Sequence, residues 1–169
     1  MSEVLLRDLV EADLEVLYEQ QREEEAVRRA QFPARDREPF MTHWRTKVLA
    51  DSANHVQIVV AGGAVAGSVM AWWRDDRRFI GYWLGQRFWG RGIGTAALRL
   101  FLRRERIRPL FADTFAGNTA SVKLLQRCGF RQVGTEHEGD LEFVVLMLAD
   151  GAPPAAVDDA AGAAPATTE

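Results

Sequence analysis

A glycine-rich segment at residues 87–95 has the residue types and spacing best suited to binding an anion. Gly90, Gly92 and Gly94 occupy alternate positions within it. Glycine allows backbone N–H groups to turn inward and approach a ligand closely, and a helix that follows presents unpaired N–H donors and the positive end of its dipole. The segment therefore suits a pyrophosphate group. A tight turn needed only for packing is the alternative that the loop by itself leaves open.

The same segment excludes two common classes of nucleotide site. A P-loop requires Gly-Lys-Ser/Thr, and no such sequence follows Gly94. A dinucleotide-binding fold places its glycines directly after the first strand, whereas these glycines follow the fourth predicted strand. Neither class of nucleotide site is expected here.

The elements that position this segment are predicted from the periodicity of the apolar residues. Gly62 and Gly63 separate two segments rich in β-branched and aromatic residues, which is typical of a hairpin. Seven strands are predicted at residues 4–9, 55–61, 64–73, 78–84, 110–115, 130–135 and 141–148. Four helices are predicted at residues 13–29, from residue 36 onward, at 92–106 and at 118–127. The glycine-rich segment thus connects the fourth strand to the third helix.

The length and composition indicate one domain. A chain of 169 residues, of which 47% are hydrophobic and 27% charged, is typical of a single globular domain. We assign residues 1–150 to this domain. Residues 151–169 are dominated by Ala, Pro, Thr, Gly and Asp without periodicity, and we predict a disordered tail there.

Charge and cysteine content argue against several classes of function. The formal net charge of -3 gives no global reason to bind nucleic acid or an anionic membrane. Cys128 is the only cysteine, so an intramolecular disulfide is impossible and a metal site is not expected. The sequence has no signal-peptide pattern and no apolar run of about 18 residues, and we expect a cytoplasmic protein. The sequence is compatible with a homodimer as well as with a monomer.

Two motifs, in this order and spacing, resemble a known family. The first is Gly-Tyr-Trp-Leu at residues 81–84, followed by the glycine-rich segment, and the second is Asn-Thr-Ala-Ser at 118–121, followed by Cys-Gly-Phe at 128–130. Together they resemble the GNAT N-acetyltransferases over about residues 4–148. The family's pyrophosphate loop reads Gln or Arg, two variable residues, Gly, one variable residue, then Gly or Ala. These places are filled by Arg87, Gly90 and Gly92.

The resemblance implies a fold, an acyl donor and a function. The fold is a mixed α/β (α+β) domain, with about four helices and a mostly antiparallel sheet of about seven strands that splays apart after the fourth. The acyl donor is acetyl-CoA, and the amine acceptor enters from the opposite side of the sheet. The expected activity is transfer of the acetyl group to a primary amine, either a peptide N-terminus or a small-molecule amine. The alternative is an acyl-CoA-binding regulatory or partner module that has lost turnover.

By the same resemblance, the fourth strand, the glycine-rich loop and the start of the last helix hold the cofactor. Backbone groups of Tyr82, Trp83 and Leu84 would pair with the pantetheine arm as though it were another strand. The remaining expected contacts are Arg87, Trp89, Gly90, Arg91, Gly92, Ile93, Gly94, Thr95, Asn118 and Ser121. Asn118 also suits a helix N-cap, and the two roles are compatible. Trp89 directly before Gly90 is similar to the branch that includes ribosomal-protein alanine acetyltransferases.

The reaction needs a base, an oxyanion donor and a group near the departing thiolate. An alkylamine with a pKa near ~10 is mostly protonated at neutral pH and attacks only when neutral. A backbone N–H of the strand ending at Leu84 would stabilise the oxyanion. Many family members use a Tyr as the acid, but the equivalent position here is Leu125. We therefore assign Ser121 as the acid or the group that orients the thiol, with helix capping as its alternative role.

The base is assigned by approximate position. Glu136, beside His137 and Glu138 in the last predicted hairpin, matches the place where the branch has a catalytic carboxylate. A solvent-exposed carboxylate in a turn is the alternative for each of these acidic residues. Tyr18 and Asp113 are further candidates.

The acceptor cleft and the single thiol complete the assignment. His43, Trp73 and Trp83 are expected to bind the acceptor, with a structural histidine and core aromatic residues as the alternatives. Cys128 is expected to be a buried apolar residue rather than a nucleophile, because the family transfers the acyl group directly.

Overall fold

Seven strands form one mixed sheet in the computed structural model, which describes residues 3–151. The strands are β1 Val4–Arg7, β2 His55–Ala61, β3 Ala64–Arg74, β4 Arg77–Leu84, β5 Leu110–Phe115, β6 Arg131–Glu138 and β7 Leu141–Leu148. Their spatial order is β1-β2-β3-β4-β5-β7-β6, and each neighbouring pair is antiparallel except β4 and β5, which are parallel. The predicted seven-stranded, mostly antiparallel sheet is confirmed.

Helices pack on both faces of this sheet. The α-helices within residues 3–151 are α1 Asp13–Gln21, α2 Glu24–Ala30, α3 Arg37–His43, α4 Ile93–Arg104 and α5 Thr119–Arg127. Helix α3 continues into a π-helical turn at Trp44–Val48. There are thus five α-helices where about four were predicted.

The prediction of a single helix at residues 13–29 is wrong, because the chain forms two helices there, α1 and α2. The chain leaves the helix at Glu23, whose backbone is extended with φ −60° and ψ 127°. The Glu23 carboxylate accepts a hydrogen bond of 2.8 Å from the backbone N–H of Gln86. This bond ties the start of α2 to the loop that follows β4, a contact between distant parts of the chain that local periodicity does not show.

Strands β4 and β5 separate along most of their length. Ladder pairs join Arg78 to Leu110 and Phe79 to Phe111, at the start of both strands, and the pairing ends there. We call the opening between residues 80–84 and residues 112–115 the seam. The predicted splaying of the sheet after the fourth strand is confirmed.

A buried ion pair lies at the closed end of the seam. Arg78 and Glu105 are each 4% exposed, and Nη2 of the arginine lies 2.7 Å from Oε1 of the glutamate. Arg78 also donates to the carbonyl oxygen of Ala53 at 2.7 Å. Because a buried charge is stable only when paired and hydrogen-bonded, this pair fixes the start of β4 against the end of α4.

The two faces of the sheet carry separate apolar clusters. The α4/α5 face has the larger cluster, which includes Tyr82 of β4 and Leu125 of α5. The opposite face carries α1, α2 and α3, and we call it the α1–α3 face. Its clusters include Phe79 and Trp83 of the same strand β4. Alternate β4 residues therefore face different sets of helices, as strand geometry requires.

The predicted disordered tail lies outside the described residues apart from Gly151. None of the helices in residues 3–151 combines the length and the apolar character needed to cross a membrane.

Candidate active site

The glycine-rich loop leaves the N-terminus of α4 open to a ligand. After β4 the chain makes a short 3₁₀ turn at Gln86–Phe88 and then reaches Gly90 and Gly92, which have φ of 73° and 74°. This left-handed conformation favours glycine. Gly92 is the N-cap residue of α4, and no side chain within residues 3–151 caps the helix. The first-turn N–H groups of α4 are therefore available for an anion.

A tryptophan joins this loop to the end of β4. The indole Nε1 of Trp89 donates a hydrogen bond of 3.1 Å to the carbonyl oxygen of Leu84. The guanidinium of Arg29, from α2, lies 4.6 Å from the centre of the Trp89 ring. Arg87 and Arg91 of the loop are exposed. Arg29 could not be predicted from the sequence, because the position of α2 depends on tertiary contacts.

Gly94 has a packing role in the same helix. A Cβ atom at this position would lie 2.7 Å from Cδ1 of Leu124, on α5, and 3.3 Å from Cδ1 of Leu84. The side chains of Ile93 and Thr95 are buried. Glycine at this position therefore allows α4 to pack closely against α5 and the end of β4.

Ser121 lies in the first turn of α5 and pairs with a tyrosine of β4. Asn118 is the N-cap residue, and its Oδ1 accepts a hydrogen bond of 3.4 Å from the backbone N–H of Ser121. The Oγ atom of Ser121 lies 2.6 Å from the phenol oxygen of Tyr82. Burial raises the pKa of Tyr82, which keeps the phenol protonated at neutral pH. Sequence reasoning gave Tyr82 a backbone role and missed this side-chain pair.

Trp83 lies on the opposite face of the sheet from the Tyr82–Ser121 pair. It is 1% exposed, and its Nε1 donates a hydrogen bond of 3.0 Å to the carbonyl oxygen of Gln20. Its ring centre lies 6.2 Å from that of Phe32. Residues of α1 and α2 cover the indole, and Phe32 packs against it, so the Trp83 side chain does not line an open cleft in this structure.

A cleft opens on the α1–α3 face beside the seam. It has a volume of about 320 Å³. Its lining residues come from β3, β5, β6, β7 and the segment after α2, and they are Gln31, Phe32, Pro33, Arg74, Asp113, Glu136, His137, Glu138 and Phe143. Because Phe32 contacts Trp83 of β4, the cleft adjoins the part of β4 that borders the seam.

The charges in the cleft are unevenly compensated. Arg74 and Asp113 form an ion pair of 3.0 Å, and the Arg74 guanidinium also lies 3.6 Å from the centre of the Phe79 ring. Glu136 and Glu138 form no ion pair within residues 3–151 and are exposed. Two carboxylates thus remain to interact with a cationic group, so the cleft suits an amine.

Two residues predicted to bind the acceptor lie apart from this cleft. Trp73 is 46% exposed and lies next to the guanidinium of Arg78, and it is not a lining residue. His43 is the last residue of α3 and is also outside the lining. Tyr18 packs edge-on against Phe40 in the core of the α1–α3 face.

Cys128 is a buried thiol, as predicted. It is 5% exposed, and burial raises its pKa to about 11. A thiol with this pKa is protonated at neutral pH, and the thiolate is the nucleophilic form.

Ser121 and Glu136 lie on opposite sides of the sheet. Ser121 contacts Tyr82 on the α4/α5 face, whereas Glu136 lines the cleft on the α1–α3 face. Tyr82, the partner of Ser121, and Asp113, which lines the cleft together with Glu136, belong to the parts of β4 and β5 that have no ladder pairs with each other. A group that lies in the seam can therefore be approached from both sides.

Residues 3–131 match the family model of the acetyltransferase (GNAT) domain. The chain belongs to this family. A comparison with curated proteins finds no match. The GNAT assignment agrees with the sheet topology and with the open seam.

Solved structures of other GNAT proteins have the same fold. A spermidine N-acetyltransferase from Vibrio cholerae, in complex with CoA and spermine, is 14% identical with a TM-score of 0.76, over 88% of this chain and 96% of that chain. The aminoglycoside acetyltransferase AAC(6')-Ib in complex with coenzyme A is 21% identical with a TM-score of 0.73, over 88% and 95%. A complex of AAC(6')-Ib with paromomycin and acetyl-CoA is 22% identical with a TM-score of 0.71, over 87% and 93%.

Proposed function

We propose that this GNAT protein transfers an acetyl group from acetyl-CoA to a primary amine by direct attack in a ternary complex. The observation that carries the proposal is the seam, which lies between the uncapped N-terminus of α4 and a carboxylate-lined cleft. The family assignment supports the reaction class. The coenzyme A and acetyl-CoA in the similar structures support the donor.

The residues around the seam fit a CoA thioester. The backbone of residues 90–95 would hold the pyrophosphate, because Gly90 and Gly92 adopt the left-handed conformation and the helix has no side-chain cap. The unpaired edge of β4 next to Tyr82, Trp83 and Leu84 would bind the pantetheine amides. Asn118 and Ser121, at the start of α5, would contact the pantetheine and the sulphur atom.

The cleft would bind the acceptor amine. The carboxylate of Glu136 would accept the proton that the amine loses, and Glu138 would attract the ammonium form before transfer. The acceptor class is a peptide N-terminus or a small-molecule amine. Trp89 and Ser121 favour the first through their resemblance to the ribosomal-protein branch. The spermine and aminoglycoside complexes of the similar structures favour the second.

The decisive experiment measures release of free CoA thiol from acetyl-CoA with a panel of amines. The panel contains polyamines, aminoglycosides, amino acids and short peptides, and mass spectrometry identifies the acetylated product. We expect an acetyl group on a primary amine of at least one class. If acetyl-CoA raises the melting temperature but no amine gives thiol release, the protein is an acyl-CoA-binding module instead.

Replacement of Trp89 tests the role of the loop in binding the donor. Trp89→Phe keeps an aromatic ring beside Arg29 but removes the bond to the Leu84 carbonyl oxygen. Because a hydrogen bond of this kind contributes about 1 kcal/mol, we expect KM for acetyl-CoA to rise about fivefold. Steady-state kinetics at varied concentrations of acetyl-CoA measure this KM, and kcat is expected to stay near that of the wild type. A lower kcat with unchanged KM would contradict this role.

From the sequence we also propose a cytoplasmic location. The sequence is compatible with both a monomer and a homodimer.

A further inference from the structure

Tyr82 and Ser121 form a buried pair of hydroxyl groups beside the seam. Their oxygen atoms are 2.6 Å apart, and the two residues are 4% and 0% exposed. Tyr82 belongs to the part of β4 that has no partner in β5, and Ser121 lies in the first turn of α5. The pair therefore joins the strand to the helix on the α4/α5 side of the opening.

Ser121 is the hydroxyl that α5 brings to this buried position. The buried residues of α5 are Ser121, Leu124 and Leu125, and the leucines cannot donate a hydrogen bond. The Oγ atom of Ser121 forms no hydrogen bond within residues 3–151 other than the one with Tyr82. Tyr82 is therefore the side chain that orients the Ser121 hydroxyl group.

The geometry allows either oxygen to be the donor in this pair, and the acidity of the two groups favours the phenol. A phenol is a much stronger acid than an alkyl alcohol, so it is the better donor when the two share one hydrogen bond. Burial raises the pKa of Tyr82, so the phenol carries its proton at neutral pH. When the phenol donates, the Ser121 oxygen is the acceptor, and its own hydrogen is left to donate elsewhere.

We propose that Tyr82 is a positioning residue for acetyl transfer: its O–H donates to Ser121 Oγ and directs the Ser121 hydrogen toward the sulphur atom of the departing CoA thiolate. This inference rests on the proposed function. During transfer the amine nitrogen forms the new C–N bond, and the C–S bond breaks with its electron pair remaining on sulphur. The proton of the nitrogen goes to Glu136. Ser121 stabilises the thiolate by a hydrogen bond, and both hydroxyl groups keep their protons.

A double-mutant cycle separates this role from a purely structural one. The wild type, Tyr82→Phe, Ser121→Ala and the double variant are compared with acetyl-CoA and an amine that the wild type acetylates. We expect each single change to lower kcat about tenfold, with KM for acetyl-CoA within about twofold of the wild type. Because Tyr82 acts through Ser121, the double variant is expected to be no slower than Ser121→Ala.

Three results would overturn the inference. They are full kcat in Tyr82→Phe, full kcat in Ser121→Ala, and a double variant whose loss equals the product of the two single losses. A wild type that acetylates no amine contradicts the proposed function instead, so the two failures are distinguishable.

Ser68→Ala is the matched control. It removes another buried serine hydroxyl, on β3, whose Oγ has no hydrogen-bond partner within residues 3–151, and kcat is expected to be unchanged.

A second measurement applies if Tyr82→Phe does not fold. The chain has two tyrosines, Tyr18 and Tyr82, and both can be replaced by 3-fluorotyrosine, which keeps the hydroxyl and nearly the same volume. Fluorination makes the phenol a stronger donor. We expect kcat to change in the protein that contains Ser121 and to stay constant in Ser121→Ala. Equal responses in the two proteins would overturn the inference.

Discussion

Glu136→Gln is expected to lower kcat about 100-fold at pH 7, because the amide occupies the same place in the cleft but cannot accept a proton. The acceptor amine is mostly protonated at this pH, and its nitrogen attacks only after the proton leaves. Since a higher pH supplies more neutral amine, the loss should shrink as the pH rises from 7 to 9. Initial rates with saturating acetyl-CoA and amine, measured across this pH range, check both expectations.

Glu138→Gln is the control for the loss of charge. Glu138 lies two residues along β6 and lines the same cleft, so its replacement removes one negative charge from the same surface. We expect this change to raise KM for the amine, with a much smaller loss of kcat than in Glu136→Gln. If the two variants lose kcat equally, the cleft attracts the amine through its charge and Glu136 is not the base.

The glycine-rich loop could be predicted because its conformation is determined locally. Gly90 and Gly92 adopt positive φ, which is unfavourable for other residues, and the helix follows directly after them. The N-cap role of Asn118 was predictable for the same reason, since the side chain bonds to a backbone N–H three residues away. The position of the loop before α4 and the N-cap of α5 depend on adjacent residues, so both could be predicted from the sequence.

The side-chain roles of β4 could not be predicted in this way. Residues 78–84 are buried continuously, because helices cover both faces of the sheet, and the usual alternation of polar and apolar residues is absent. Nothing in the sequence shows which face receives Tyr82 and which receives Trp83. Trp83 was therefore assigned to the acceptor cleft, although α1 and α2 cover it. The Tyr82–Ser121 pair was missed for the same reason.

Gly67→Ala is expected to destabilise the protein strongly. A Cβ atom at Gly67, in β3, would lie 1.9 Å from the backbone carbonyl oxygen of Trp83 and 2.9 Å from Cα of Leu84. These are backbone atoms, so no side-chain rotation relieves the overlap. The strands β3 and β4 would have to separate at the end of β4 that borders the seam. We expect a loss of about 4 kcal/mol in the free energy of unfolding.

Thermal and urea unfolding measure this effect, with Gly134→Ala as the matched control. Gly134 lies in β6, is exposed, and a Cβ atom there meets no other atom within 4 Å. Its replacement is expected to change the free energy of unfolding by less than about 0.5 kcal/mol. If Gly67→Ala keeps its stability but loses kcat, the strands have moved apart locally and the end of β4 positions the thioester. If it keeps both, the close approach of β3 to β4 is not required.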